Sequence, residues 1–130
     1  MAQGNMKAVT NPCIPFTIAF SSAITDLYVQ SQNCWYDPSS GIAHIQFNIS
    51  SNNGLIPTSG NLIATVPEEY RPVNGWNQIL GYALVANTKW AFEYAEGIYI
   101  IGNGNIVLNN WIYGSQTTYA LMVCADYRVA

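Results

Sequence analysis

The chain has 130 residues, half of them hydrophobic, and only 8% are charged, against roughly 25% in typical soluble domains. This composition excludes a disordered chain and predicts one domain whose polar surface consists mainly of amide and hydroxyl groups. The net charge is −3, and the four Lys and Arg residues are scattered; binding to nucleic acid is therefore not expected, because phosphate backbones require clustered cations.

The N-terminal segment, residues 1–15, is predicted to be a lead-in, and residues 16–130 are predicted to form the folded domain. Its first residues, MAQGNMKAVTNP, lack the apolar centre of a classical signal peptide. No apolar run in the chain approaches the roughly 20 residues of a membrane span. We therefore expect no membrane insertion.

Most of the remaining chain has the composition of β-strands. Segments rich in β-branched or aromatic residues lie at 29–36, 42–50, 61–66, 78–86, 89–94, 98–101, 105–113 and 117–127. Turn signals separate them at 37–41, Asn53-Gly54, Asn74-Gly75 and Asn103-Gly104. Many short strands with regular turns predict an all-β fold, an antiparallel β-sandwich or jelly roll.

Alternation within two strands predicts which side chains face solvent. In 42–50, the apolar residues share one face, and His44, Gln46 and Asn48 share the other. In 105–113, Trp111 and Tyr113 lie opposite Ile106 and Leu108, on the face that also carries Asn105 and Asn109. Two aromatic residues are thus predicted on a face that is otherwise polar.

Two strands, 78–86 and 117–127, are apolar on both faces. In a small antiparallel sandwich, one face of each strand is normally solvated. We therefore expect their second faces to meet another subunit. The alternative is that loops cover these faces within the monomer.

No metal, cofactor or covalent catalytic site is predicted. His44 is the only histidine, and the three cysteines are widely spaced without a CxxC pair. The segment Gly102–Gly104 is predicted to form a hairpin turn rather than a phosphate loop. The cysteines are interpreted as buried free thiols. A glycosidase pair drawn from Glu93, Glu96 and Asp126 is the enzymatic alternative, and solvated edge charges are the favoured interpretation of these carboxylates.

Carbohydrate binding is the chemistry that best fits the polar, aromatic-rich sequence. A sugar ring offers an apolar face that aromatic planes cover and hydroxyls that amide, imidazole and carboxylate groups bind. The candidate binding residues are Trp111, Tyr113, Trp76, His44, Gln46 and Asn109. The stripe Trp90, Phe92 and Tyr94 is assigned instead to the core.

The segment 66–72, VPEEYRP, follows a strand and resembles the LPEGYRP-type corner of head domains in bacteriophage tail receptor-binding proteins. Glu69 replaces the usual glycine. Further similar segments appear in the same order, at Trp35-Tyr36, 41–45, 83–85, 97–100 and 104–108. The resemblance covers about residues 27–128.

The resemblance implies a trimeric β-sandwich or jelly-roll head domain at the tail tip or baseplate of a virion. Such a domain would contact other tail or baseplate proteins and bind a saccharide of the bacterial cell wall or surface, without enzymatic activity or a cofactor. The host would be Gram-positive. Two alternatives stay open: a glycan-degrading tail enzyme, and a TNF/C1q-like trimer that binds a protein.

Overall fold

A computed structural model describes residues 12–53, 62–72, 78–86, 94–108 and 119–130. For residues 78–86 and 94–96 it describes the backbone but not the side chains. The strands in these residues are β1 (Ile14–Phe16), β2 (Ala19–Phe20), β3 (Leu27–Gln32), β4 (Cys34–Asp37), β5 (Ile42–Ser51), β6 (Leu62–Thr65), β7 (Gln78–Ala86), β8 (Tyr94–Ile100), β9 (Asn105–Leu108) and β10 (Ala120–Arg128). One 3₁₀ turn, Glu68–Tyr70, follows β6. The predicted all-β class is confirmed.

The strands form an antiparallel hydrogen-bonded path in the order β1-β4-β5-β10-β7-β8-β9-β6-β2, and β3 pairs with β5 beside this path. The path folds over on itself, because Phe20 on β2, at one end, meets Phe47 on β5 edge to face with ring centroids 5.4 Å apart. The two halves therefore face each other across one core, which is the predicted β-sandwich.

The core is built by the alternation predicted for β5. Ala43, Ile45, Phe47 and Ile49 on that strand are almost completely buried. The facing layer contributes the buried side chains of Ile63, Ile98, Ile100, Ile106 and Leu108. Each such side chain contributes about 1.5–3 kcal/mol of stability when it is removed from water. Burial of this apolar stripe therefore fixes the orientation of β5 and leaves its other face exposed to solvent.

One predicted strand is divided in the structure. The segment predicted at 29–36 is split into β3 and β4 at Asn33, whose N–H donates to the Gln46 carbonyl at 2.9 Å. The pairing of β3 with β5 also shifts register between Val29 and Ser31. A bulge of this kind changes which face a side chain occupies, so simple alternation fails across this segment.

The boundary expected at residue 15 falls within β1, where Ile14 pairs with Tyr36. Residues 1–11 lie outside the described part, so the division into a lead-in and a folded domain stays an expectation. The predicted strand at 89–94 is described only at Tyr94, where β8 begins. The predicted strand at 105–113 is described only as far as Leu108.

Two predicted turns are confirmed as hairpins. Between β4 and β5, the Asp37 carboxylate accepts hydrogen bonds from the Ser39 N–H and hydroxyl at 2.9 and 2.6 Å and from the Ser40 hydroxyl at 2.9 Å. These bonds to Ser39 and Ser40 lower the pKa of Asp37. Between β8 and β9, the Gly104 N–H donates to the Ile101 carbonyl at 2.8 Å, so this glycine-rich segment is a turn between strands.

The corner at 66–72 is a scaffold element. The Tyr70 ring stacks on Phe16 with centroids 4.4 Å apart, and the Tyr127 hydroxyl donates to the Tyr70 carbonyl at 2.7 Å. The Ala130 N–H donates to the Arg71 carbonyl at 2.9 Å. The corner thus joins β1 and the end of β10.

Candidate ligand-binding face

The solvent side of β5 and its neighbours forms a continuous surface on which polar side chains lie beside an aromatic ring and sulfur-containing side chains. Residues that pair directly across strands share a face, and the burial of β5 alternates along its whole length. We use the name outer face for the set Ser31 on β3, Trp35 on β4, His44, Gln46 and Asn48 on β5, and Met122, Cys124 and Asp126 on β10.

Trp35, His44 and Asp126 form one row across three strands. Trp35 pairs with His44 across β4 and β5, and Asp126 pairs with His44 across β10 and β5. The indole and imidazole rings stack, with centroids 4.8 Å apart and planes at 19°. His44 Nδ1 lies 2.6 Å from Asp126 Oδ1. The imidazole is therefore held from two sides by groups on different strands.

The two members of this hydrogen-bonded pair differ in exposure. The His44 side chain is 19% exposed, whereas that of Asp126 is 62% exposed. Water screens such a carboxylate, so the pair contributes little to the stability of the fold. The arrangement instead presents a carboxylate and an oriented imidazole beside an aromatic plane.

A second row of side chains carries amides. Gln46 Nε2 donates to the Ser31 hydroxyl at 3.1 Å and to Asn48 Oδ1 at 3.3 Å. Within the described residues, Gln46 Oε1 and Asn48 Nδ2 have no hydrogen-bond partner, so one acceptor and one donor remain for a ligand.

Only part of the predicted site can be placed. His44 and Gln46 lie on the polar face of β5, as the alternation predicted. Trp76, Asn109, Trp111 and Tyr113 lie outside the described residues, so their assignment stays a prediction.

Sequence reasoning missed Trp35, Asp126, Asn48 and Ser31 as members of the site. Alternation along β10 places Asp126 on one face with Met122 and Cys124, and this signal could have nominated it. Nothing in the sequence indicates that residues 44 and 126 are cross-strand neighbours. Alternation could not assign Trp35 to this face, because the bulge and the break at Asn33 interrupt the alternation of its predicted strand.

The expectation of buried thiols holds for one cysteine and is wrong for two. Cys34 is buried, and burial raises its pKa. Cys13 and Cys124 are exposed, and all three cysteines are free. The expectation failed at Cys124 because its side chain is on the outer face of β10, opposite Gln46.

The described residues contain no group of His, Cys, Asp or Glu that could hold a metal ion. Of the carboxylates considered for a glycosidase pair, Asp126 is hydrogen-bonded to His44. Glu93 lies outside the described residues, and only the backbone of Glu96 is described. Within the described ranges, no helix is long and apolar enough to cross a membrane.

The sequence matches no protein-family profile and no curated protein. The fold, in contrast, has a solved counterpart. The crystal structure of the receptor binding protein (gp15) of Listeria phage PSA matches with a TM-score of 0.62 and 13% identity, over 98% of this chain and 74% of that chain. The chain shares the fold of a phage receptor-binding protein. At this identity the likeness concerns the architecture alone, and the outer face must be interpreted from its own chemistry.

Proposed function

We propose that this chain is a receptor-binding module of a phage virion that attaches to a saccharide on the bacterial surface without cleaving it. The observation that carries the proposal is the row of Trp35, His44 and Asp126 on the outer face, with the Asp126 carboxylate exposed and the two stacked rings half-buried beside it. The fold shared with a phage receptor-binding protein supports the setting, a tail tip or baseplate acting outside the host cell.

The outer face has the groups that sugar recognition requires. An aromatic ring such as Trp35 covers the apolar C–H face of a pyranose. The Asp126 carboxylate accepts hydrogen bonds from hydroxyls, and the free amide oxygen of Gln46 can accept from another. The four Lys and Arg residues of the whole chain do not suit a highly anionic polymer.

The proposal includes a homotrimer. The outer side of β10 carries Met122, which is half-buried, and Cys124, which is exposed. The backbone of β7 continues this face, since Met122 pairs with Leu84. We assign the contact between subunits to the end of this face next to β7, around Met122, and the saccharide to the other end, around Trp35, His44 and Asp126. Several weak saccharide sites on one particle would then act together and provide avidity, while other tail or baseplate proteins hold the trimer on the virion.

An array of bacterial surface glycans tests the saccharide. The wild-type protein should bind a restricted set of glycans, and Asp126→Ala should lose most of that signal. Glu69→Ala, which removes an exposed carboxylate in the turn at Glu68–Tyr70, is the matched control and should bind normally. Equal signals for the two variants would contradict the placement of the site on the outer face.

Two further readouts separate the alternatives. New reducing ends after incubation with a bound polysaccharide would show a glycan-degrading enzyme and contradict the non-enzymatic part of the proposal. Loss of cell binding after protease treatment of the bacteria would indicate a protein receptor. Binding that survives protease treatment, without new reducing ends, is the expected result.

A further inference from the structure

The two ring nitrogens of His44 have different surroundings. Nδ1 lies 2.6 Å from Asp126 Oδ1, while Nε2 has no hydrogen-bond partner among the described residues. Stacking on Trp35 at 4.8 Å restricts rotation of the ring. The side chain is nevertheless 19% exposed, so a ligand on the outer face can approach the imidazole.

A carboxylate can only accept hydrogen bonds, so the hydrogen of a neutral imidazole beside it must be on the nearer nitrogen. We infer that Asp126 fixes the Nδ1–H tautomer of His44, so that Nε2 acts as a hydrogen-bond acceptor that selects a hydroxyl or N–H donor of the saccharide. The inference rests on the proposed function and assigns Asp126 as a positioning residue.

The other charged or titratable groups near this row leave the assignment intact. On β10, Cys124 and Arg128 lie on either side of Asp126 along the same face. On β4, the Asp37 carboxylate is occupied by Ser39 and Ser40. Within the described residues, Asp126 alone is hydrogen-bonded to the imidazole.

Selection by Nε2 has a chemical consequence. A saccharide hydroxyl that donates to this nitrogen satisfies it, whereas the methyl ether of the same hydroxyl cannot donate and also fills the space. The loss of one such hydrogen bond corresponds to about a fivefold to tenfold weaker binding. Methylation of one specific hydroxyl should therefore reduce binding by about this factor or more.

The tautomer can be measured before any ligand is known. His44 is the only histidine, so a long-range ¹H–¹⁵N NMR spectrum of the uniformly labelled protein shows a single imidazole. At about pH 8, where an ordinary imidazole is neutral, the wild type should show a protonated Nδ1 and an unprotonated Nε2. A protonated Nε2 would overturn the inference.

Asp126→Asn retains the shape of the side chain but can donate as well as accept, so it should abolish the single tautomer. Asp26→Asn is the matched control. It makes the same change roughly 20 Å away, at the other end of β5, given the rise of a strand; Asp26 has φ 54°, which Asn tolerates. An unchanged spectrum in Asp126→Asn, or an equal change in the control, would overturn the role of Asp126.

The ligand arm uses methyl glycosides of glucose, galactose, rhamnose and N-acetylglucosamine as probes, followed by the O-methyl ethers of any glycoside that binds. The expected result is that one glycoside shifts both the Trp35 indole N–H and the His44 Nε2 resonance. A shift at Trp35 without one at Nε2 overturns this inference and leaves the proposed function standing. If none of the probes binds, saccharide recognition is contradicted. The tautomer of His44 is tested separately, by the NMR spectrum of the protein without ligand.

Discussion

The hydroxyl of Tyr127 donates a hydrogen bond to the main-chain carbonyl of Tyr70 at 2.7 Å. This bond links the end of β10 to the corner that follows β6, across 57 positions of the chain. Tyr127 is 4% exposed, so removal of its hydroxyl leaves a carbonyl with less access to water than it has in the unfolded chain.

Tyr127→Phe should therefore lower the free energy of unfolding by about 1 kcal/mol. Urea unfolding followed by circular dichroism measures this difference. Tyr28→Phe is the control, since Tyr28 is 61% exposed and should change stability by less than about 0.5 kcal/mol. Equal values for the two variants would contradict the importance of the Tyr127 bond.

The same residue predicts how stability depends on alkaline pH. Burial raises the pKa of Tyr127 well above the ordinary value of about 10. Below about pH 10 the Tyr127 hydroxyl is protonated in both the folded and the unfolded chain, and its contribution to stability is complete. Above that pH, the unfolded chain releases a proton that the folded chain retains, so stability should fall by up to about 1.36 kcal/mol per pH unit. Urea unfolding between pH 9 and 11 should show a shallower decline for Tyr127→Phe, and identical slopes would contradict this cause.

Gly104 occupies a position that only glycine fills without cost. Its φ is +90°, and a Cβ there would lie 3.1 Å from both Val66 Cγ2 and the Val66 carbonyl oxygen. Gly104→Ala should reduce stability by about 1–3 kcal/mol. Gly41→Ala is the control, because Gly41 also has a positive φ, +74°, but a Cβ at that position would have no atom within 4 Å. The midpoint of thermal unfolding should be lower for Gly104→Ala than for Gly41→Ala. The reverse order would exclude crowding against Val66 as the cause.

Trp35→Ala should weaken binding to the glycan found on the array by about tenfold, because the sugar loses its aromatic platform. Isothermal titration measures the change, and an unchanged urea midpoint shows that the fold is intact. Tyr28→Ala removes an exposed aromatic near the other end of β5, where Tyr28 pairs with Ser50, and should bind as the wild type does. If the loss followed Tyr28 instead, the site would lie at that end of the sheet.

Light scattering tests the trimer directly. The wild type should have three times the mass of one chain at micromolar concentration. Met122→Asp, which places a charge on the outer face of β10, should reduce this mass to that of a monomer, because burial of an unpaired charge in an interface is costly. Asn103→Asp, in the exposed turn between β8 and β9, should remain trimeric. A monomeric wild type would contradict the assembly.

Much of the architecture was predictable from local patterns. The alternation of β5 identified its buried residues and its polar face, because a strand places successive side chains on opposite sides. The turn at Asp37 and the hairpin at Gly104 were also predictable, since short polar side chains and glycine stabilise these backbone conformations. The corner at 66–72 could be recognised because proline ends a strand locally.

The sequence by itself determined the all-β class, the polar face of β5 and the position of His44 and Gln46 on that face. Only the tertiary structure decided that Trp35 stacks on His44 and that Asp126, 82 positions away, binds its Nδ1. Strand order and register depend on how the two halves of the sheet close around Phe47 and Ile49, and a shift of one residue would place Asp126 on the opposite face. Such pairings arise from the packing of the whole core, so no local pattern in the chain specifies them.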